Sequence, residues 1–158
     1  MKSKLVRPAK PPTELELSSI ESDLGVSLPV DYRRFMLTYN GGRPVPCTFD
    51  IIWLENYPLG DIWKTSEVSR FLSIYNEDKA NFVKYNKINF SGRIPKETIA
   101  IAYDPGGNLI LAGITGEHAG KILFWVKDYE VEEDRIPNFD NVGFIANNFD
   151  EFLHSKLY

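Results

Sequence analysis

Cysteine and histidine are scarce in this chain, and long apolar runs are missing. The single cysteine, Cys47, among 158 residues excludes an internal disulfide framework and any paired-cysteine zinc or redox motif. Its place in the apolar run 45–53 reads as a small core residue rather than a nucleophile. The two histidines, His118 and His154, stand at unrelated positions and make no metal-ligand spacing. No metal and no organic cofactor is therefore expected. No stretch approaches the ~20 apolar residues of a membrane span, and the basic first ten residues lack the apolar core of a signal peptide. The expectation is a soluble, cytoplasmic chain with no membrane partner. Neither GxGxxG nor GxxxxGKS/T occurs, and Gly106, Gly107 and Asn108 lead into a strand rather than a helix.

Apolar residues make up 43% and aromatics 13% of the chain, which excludes disorder. A chain of this length buries roughly 70% of its unfolded surface, enough for one core without staples. The sequence divides into a loose lead-in over residues 1–12 and a single domain over 13–158. The net charge of −4 is unevenly placed. Residues 128–158 carry 2 basic and 8 acidic side chains, a balance of −6, whereas residues 1–127 carry 16 and 14. The densest part holds Asp128, Glu130, Glu132, Glu133 and Asp134 within seven residues. Such a field repels nucleic-acid phosphates and steers a basic partner. It is also what an ordinary solvated loop looks like.

Thr13 and Glu16 have capping-box spacing. Leu17, Ile20 and Leu24 follow on one helical face, and Gly25 stands where a helix ends. A second helix is predicted from about Leu28 and Pro29, with Tyr32, Phe35, Met36 and Tyr39 as its apolar stripe and Asn40, Gly41 and Gly42 as its stop. Residues 45–54 alternate as a strand with Cys47, Phe49, Ile51 and Trp53 on one face, although Pro44 and Pro46 make its start irregular. A short strand is expected over 71–75 and a third helix over 77–89 through Phe82, Tyr85 and Ile88. Three strands follow between Ile99 and Asp128, joined by turns at 104–108 and 116–120. A last helix starts near Asn148, with Glu151 at capping distance and Phe149, Phe152, Leu153 and Leu157 on one face. Helices at both termini around a strand meander predict an α+β fold, a mainly antiparallel sheet with helices packed on one side.

Four segments carry a resemblance when taken in order: LPVDYRRFMLTYNGG at 28–42, IAIAYD at 99–104 leading into Gly106, Gly107 and Asn108, GKILFW at 120–125, and FDEFL at 149–153. Together they resemble the SUKH superfamily, which includes a yeast cell-wall-synthesis regulator and many bacterial immunity proteins. The resemblance covers roughly residues 13–157. It implies an α+β antidote that neutralises a toxin, often a nuclease, by binding it, and it brings no catalytic residues with it.

Two rivals stand beside that reading. One is a non-enzymatic regulatory scaffold like the eukaryotic relatives. The other is a small hydrolase or ligand-binding enzyme centred on Asp104 and His118, with Asn108 near. Against it, an Asp immediately before Pro-Gly-Gly has an ordinary turn role, accepting backbone N–H bonds. Arg33 and Arg34 fit an exposed helix face as well as a nucleic-acid contact. The aromatics Phe82, Tyr85 and Phe90, interleaved with lysines, read as core-facing, as do Trp53 and Trp125. The expected function is an immunity protein, not an enzyme, whose partner is a cognate toxin protein. The candidate contact residues are Asp128, Glu130, Glu132, Glu133 and Asp134.

Overall fold

Residues 3–75 and 79–158 are described in a computed structural model of the chain. Thr13 caps helix α1 (Glu14–Leu24) reciprocally. The Glu16 amide donates to Thr13 Oγ1 and the Thr13 amide to Glu16 Oε1, both at 3.1 Å. Gly25 ends the helix in the left-handed region. Helix α2 (Val30–Thr38) buries Tyr32, Phe35 and Met36, with Pro29 as its cap and Tyr39 largely exposed at its end. The stop behaves as its residues dictate, since Asn40, Gly41 and Gly42 all take positive φ. A Cβ on Gly41 would collide with Ser73 Oγ. The buried Asn40 side chain donates to the Lys10 carbonyl at 2.9 Å and accepts from the Ile74 amide at 3.0 Å, which fixes the crossing.

Within the lead-in, β1 (Lys4–Val6) pairs antiparallel with β2 (Arg43–Val45), so a strand precedes the first helix. The strand expected over 45–54 is broken. After β2, a separate β3 (Thr48–Asp50) pairs with β4 (Thr65–Glu67). Pro44 and Pro46 offer no amide hydrogen to continue one ladder, and the two pieces find different partners. The main sheet is a five-stranded antiparallel meander of β5 (Arg70–Phe71), β6 (Thr98–Tyr103), β7 (Leu109–Gly113), β8 (Ile122–Trp125) and β9 (Val142–Ala146). Residues 42–52 reach both of its outer strands. The Phe71 amide donates to the Gly42 carbonyl at 2.8 Å, and Ile52 and Phe144 exchange backbone bonds of 2.8 and 2.9 Å.

Register assigns the faces. Ala102, Ile110, Phe124 and Gly143 form one row across the sheet, and Tyr103, Leu109, Trp125 and Val142 form the next. Successive strand residues point to opposite sides, so the rows belong to different faces. The first face carries the helices. Phe35 packs on Phe71 and Phe149 at ring separations of 5.1 and 4.8 Å, and Phe49 on Phe124 and Phe152 at 5.9 and 5.6 Å. Each fully buried phenylalanine contributes about 1.5–3 kcal/mol. Phe149 and Phe152 come from α4 (Phe149–Glu151) and the π-helical turn Phe152–Lys156 that continues it. Asn148 caps that helix by accepting from the Glu151 amide at 2.8 Å, while Glu151 reaches back to the Asn147 amide rather than to Asn148.

The third helix wraps around to the second face. It begins at Phe82 rather than at Glu77, which lies outside the described residues, as α3 (Phe82–Lys84) followed by a π-helical turn over Tyr85–Asn89. Phe82 meets Tyr32 on the helix side at 6.3 Å. Tyr85 stacks on Tyr103 at 6.0 Å and Phe90 abuts Trp125 at 5.7 Å on the other. This cover leaves the β8–β9 end of the second face open, where Val142 and Phe144 are only half-buried. Among the described residues no helix is long and apolar enough to cross a membrane.

Candidate partner-binding surface

The five carboxylates lie in the loop between β8 and β9, and the loop is pinned at its base. Asn108 Oδ1 accepts from the Lys127 amide at 2.9 Å, and Asn141 Nδ2 donates to the Val126 carbonyl at 2.8 Å. Arg93 grips Glu130 with two hydrogen bonds of 2.7 and 3.0 Å, its guanidinium 4.6 Å above the Phe90 ring. Those bonds hold Arg93 above its ordinary pKa, with burial opposing them. Glu130 is thus a strut, half-buried and paired. Asp128, Glu132, Glu133 and Asp134 are exposed, and no ion pair engages them among the described residues. Sequence spacing grouped the five together, but the structure separates one from four. A cavity of about 620 Å³ lies between this segment and Ile88–Arg93.

On the other flank of the same loop lies a second depression of about 610 Å³, lined by Ile52, Leu54, Leu123, Phe139, Val142 and Phe144. Trp53 and Tyr57 form its wall, their rings stacked at 5.6 Å, and Trp53 Nε1 donates to the Trp63 carbonyl at 2.7 Å. The Tyr57 hydroxyl donates to the Asp140 carbonyl, which ties the wall to the loop. Gly143 makes the wall possible, because a Cβ there would lie 2.5 Å from Ile51 Cγ2 and 3.0 Å from the Trp53 ring. Sequence reading missed this groove, whose residues come from three distant segments. The available signal was the alternation of Val142 and Phe144 in β9.

The structure does not bring Asp104 and His118 together. Asp104 sits in the turn entering β7 and His118 in the turn leaving it, about 13 Å or more apart at ~3.3 Å per residue. The Asp104 carboxylate is buried and fully engaged. Oδ1 accepts from the Gly106 and Asn108 amides at 3.0 and 2.7 Å. Oδ2 accepts from Ser66 Oγ at 2.8 Å and Asn108 Nδ2 at 3.0 Å. It is the turn residue that its place before Pro105 predicts, with no lone pair aimed at a substrate. His118 packs on Phe139 at 4.4 Å, beside the groove. Arg33 binds Glu14, Glu21 and Ser18, and Arg34 binds Asp150. Both arginines serve contacts within the fold. Among the described residues, no three His, Cys, Asp or Glu side chains are grouped as a metal ion would require.

What remains is a single α+β domain whose distinctive surfaces are an acidic loop and an adjoining apolar groove. Residues 11–155 match the SMI1 / KNR4 family (SUKH-1), and the chain belongs to that family. It is also 32% identical over 154 residues to the SPbeta prophage-derived uncharacterized protein YokK of Bacillus subtilis (strain 168), a match covering 92% of this chain and 74% of that protein.

Proposed function

We propose that this chain is a cytoplasmic immunity protein that neutralises a bacterial toxin domain by binding it, with no chemistry of its own. The observation that carries this reading is the exposed set Asp128, Glu132, Glu133 and Asp134, free of ion pairs among the described residues, on a pinned loop of a SUKH-family domain. Blocking a toxin requires only that its active site or substrate groove be occupied. If that toxin is a nuclease, its groove is basic, and these carboxylates stand in for phosphate. Complementarity of this kind acts mainly on association rate and specificity, and salt screens it beyond about 8 Å at physiological ionic strength.

The test uses the product of the gene neighbouring this chain's, with association rate measured against ionic strength. Glu132→Lys combined with Glu133→Lys should slow association at least tenfold at low salt and flatten the salt dependence. Glu130 is left intact because it braces the loop. Unchanged rates at low salt would retire the phosphate-mimic role and move the interface elsewhere. A neighbouring product that does not bind at all would turn the reading toward a regulatory scaffold.

A further inference from the structure

Charges on the loop explain how a basic partner would arrive but not what would hold it there. Rim charges alone change encounter rates more than affinity. Binding energy concentrates where apolar or aromatic side chains enter a water-excluding pocket. The groove beside the loop has the features of such a pocket. Leu54 and Ile52 are 79% and 55% exposed at its rim. Phe139, Val142 and Phe144 are half-buried within it, and Leu123 forms its floor. These residues continue the sheet's second face past the point where Tyr85 and Phe90 stop covering it. A contiguous exposed apolar surface of this kind marks an interaction site more often than scattered single residues do.

The occupant follows from the loop itself. Residues 127–141 form one wall of the groove through Phe139 and Asp140, and their opposite flank carries Asp128 to Asp134. The whole segment holds 6 carboxylates against Lys127 and Arg135; one of them, Glu130, is held by Arg93, and another, Asp140, stands at the groove's mouth, where Glu117 adds negative charge and Lys121 opposes it. A segment entering beside this wall meets a negative field before it meets apolar surface. An acidic segment is repelled, whereas a basic one is drawn in.

We propose that the groove lined by Ile52, Leu54, Leu123, Phe139, Val142 and Phe144 is the anchor pocket for a basic polypeptide segment bearing a large apolar or aromatic side chain. The side chain fills the groove while its flanking cations face the β8–β9 loop. The proposal rests on the basic-partner reading of that loop. The walls are built to hold shape, since Trp53 is fixed by its bond to the Trp63 carbonyl and by the close approach of Gly143. A pre-formed pocket lowers the ordering cost of binding.

The experiment titrates the full chain with three synthetic twelve-residue peptides and follows methyl and amide NMR signals. The first peptide is lysine-rich with a central tryptophan and leucine, the second replaces its lysines with glutamates, and the third replaces its apolar residues with serines. The first should shift the methyls of Ile52, Leu54, Leu123 and Val142. The second should leave them unmoved, and the third should shift only amides 128–134. Leu54→Ser, at a largely exposed position, should keep the parent melting temperature and weaken binding of the first peptide at least tenfold. Loop shifts without groove shifts from the first peptide would overturn the pocket and spare the loop reading. Groove shifts without loop shifts would overturn the placement of the cations on the loop, and with it the basic occupant. Equal groove shifts from the acidic peptide would overturn the assigned occupant.

Discussion

The β6–β7 turn and the β8–β9 loop both display carboxylates, and they spend them in opposite ways. In the turn, Asp104 is buried and accepts four hydrogen bonds, each donor within five residues or on the neighbouring β4. In the loop, four carboxylates point into solvent without an ion pair among the described residues, and only Glu130 is held, by Arg93. A carboxylate whose lone pairs are all engaged by its own chain has nothing left for a partner or a substrate. Availability, rather than residue type or local density, therefore separates a structural acid from one left free to meet a partner.

The sharpest way to break this contrast is Asp104→Ala. It leaves the Ser66 hydroxyl, two amides and the Asn108 side-chain amide without their acceptor, and the cost should be about 3–5 kcal/mol. Urea unfolding measures it, and a loss under ~1 kcal/mol would mean that water replaces the carboxylate and that the turn is not organised around it. Arg93→Ala should cost only about 1 kcal/mol, since the pair is partly exposed. It should also convert Glu130 from a strut into a free charge and raise the association rate with a basic partner severalfold at low salt. A slower rate would show that loop shape matters more than charge count. The smallest stability effect belongs to Glu132→Lys with Glu133→Lys, within about 0.5 kcal/mol by thermal melting. A larger loss would show that these residues have structural partners after all.

Local patterns were legible in the sequence wherever the physics is local. The Thr13–Glu16 capping box and the spacing of the α2 stripe through Tyr32, Phe35 and Met36 are set within a few residues, and the positive-φ stop at Asn40–Gly42 was legible from its residue types, although Lys10 and Ile74 hold Asn40 in place. The turn role of Asp104 was equally visible. The family-bearing segments also stood in order along the chain. Strand β1 left no trace, because Lys4, Leu5 and Val6 acquire their conformation from pairing with residues 43–45. Residues 45–54 alternate like one strand, yet proline and a change of partner divide them. The π-helical turns after Lys84 and Glu151 leave the apolar spacing looking like ordinary helix. The acidic run of the candidate site was plain, but the Arg93–Glu130 pairing and the groove were not. Both join residues far apart in sequence, and no spacing rule reaches across such distances.

The segment 42–52 has a consequence beyond connecting α2 to the sheet. Its two ends bridge to β5 at Phe71 and to β9 at Phe144, so one stretch of chain screens both open rims of the meander. Bare outer strands are templates on which further copies polymerise, and proteins commonly blunt them. Here the blunting takes a single-residue bridge at each rim, with Pro44 and Pro46 lying between them. A domain with an apolar groove standing open gains the most from rims that do not recruit another copy.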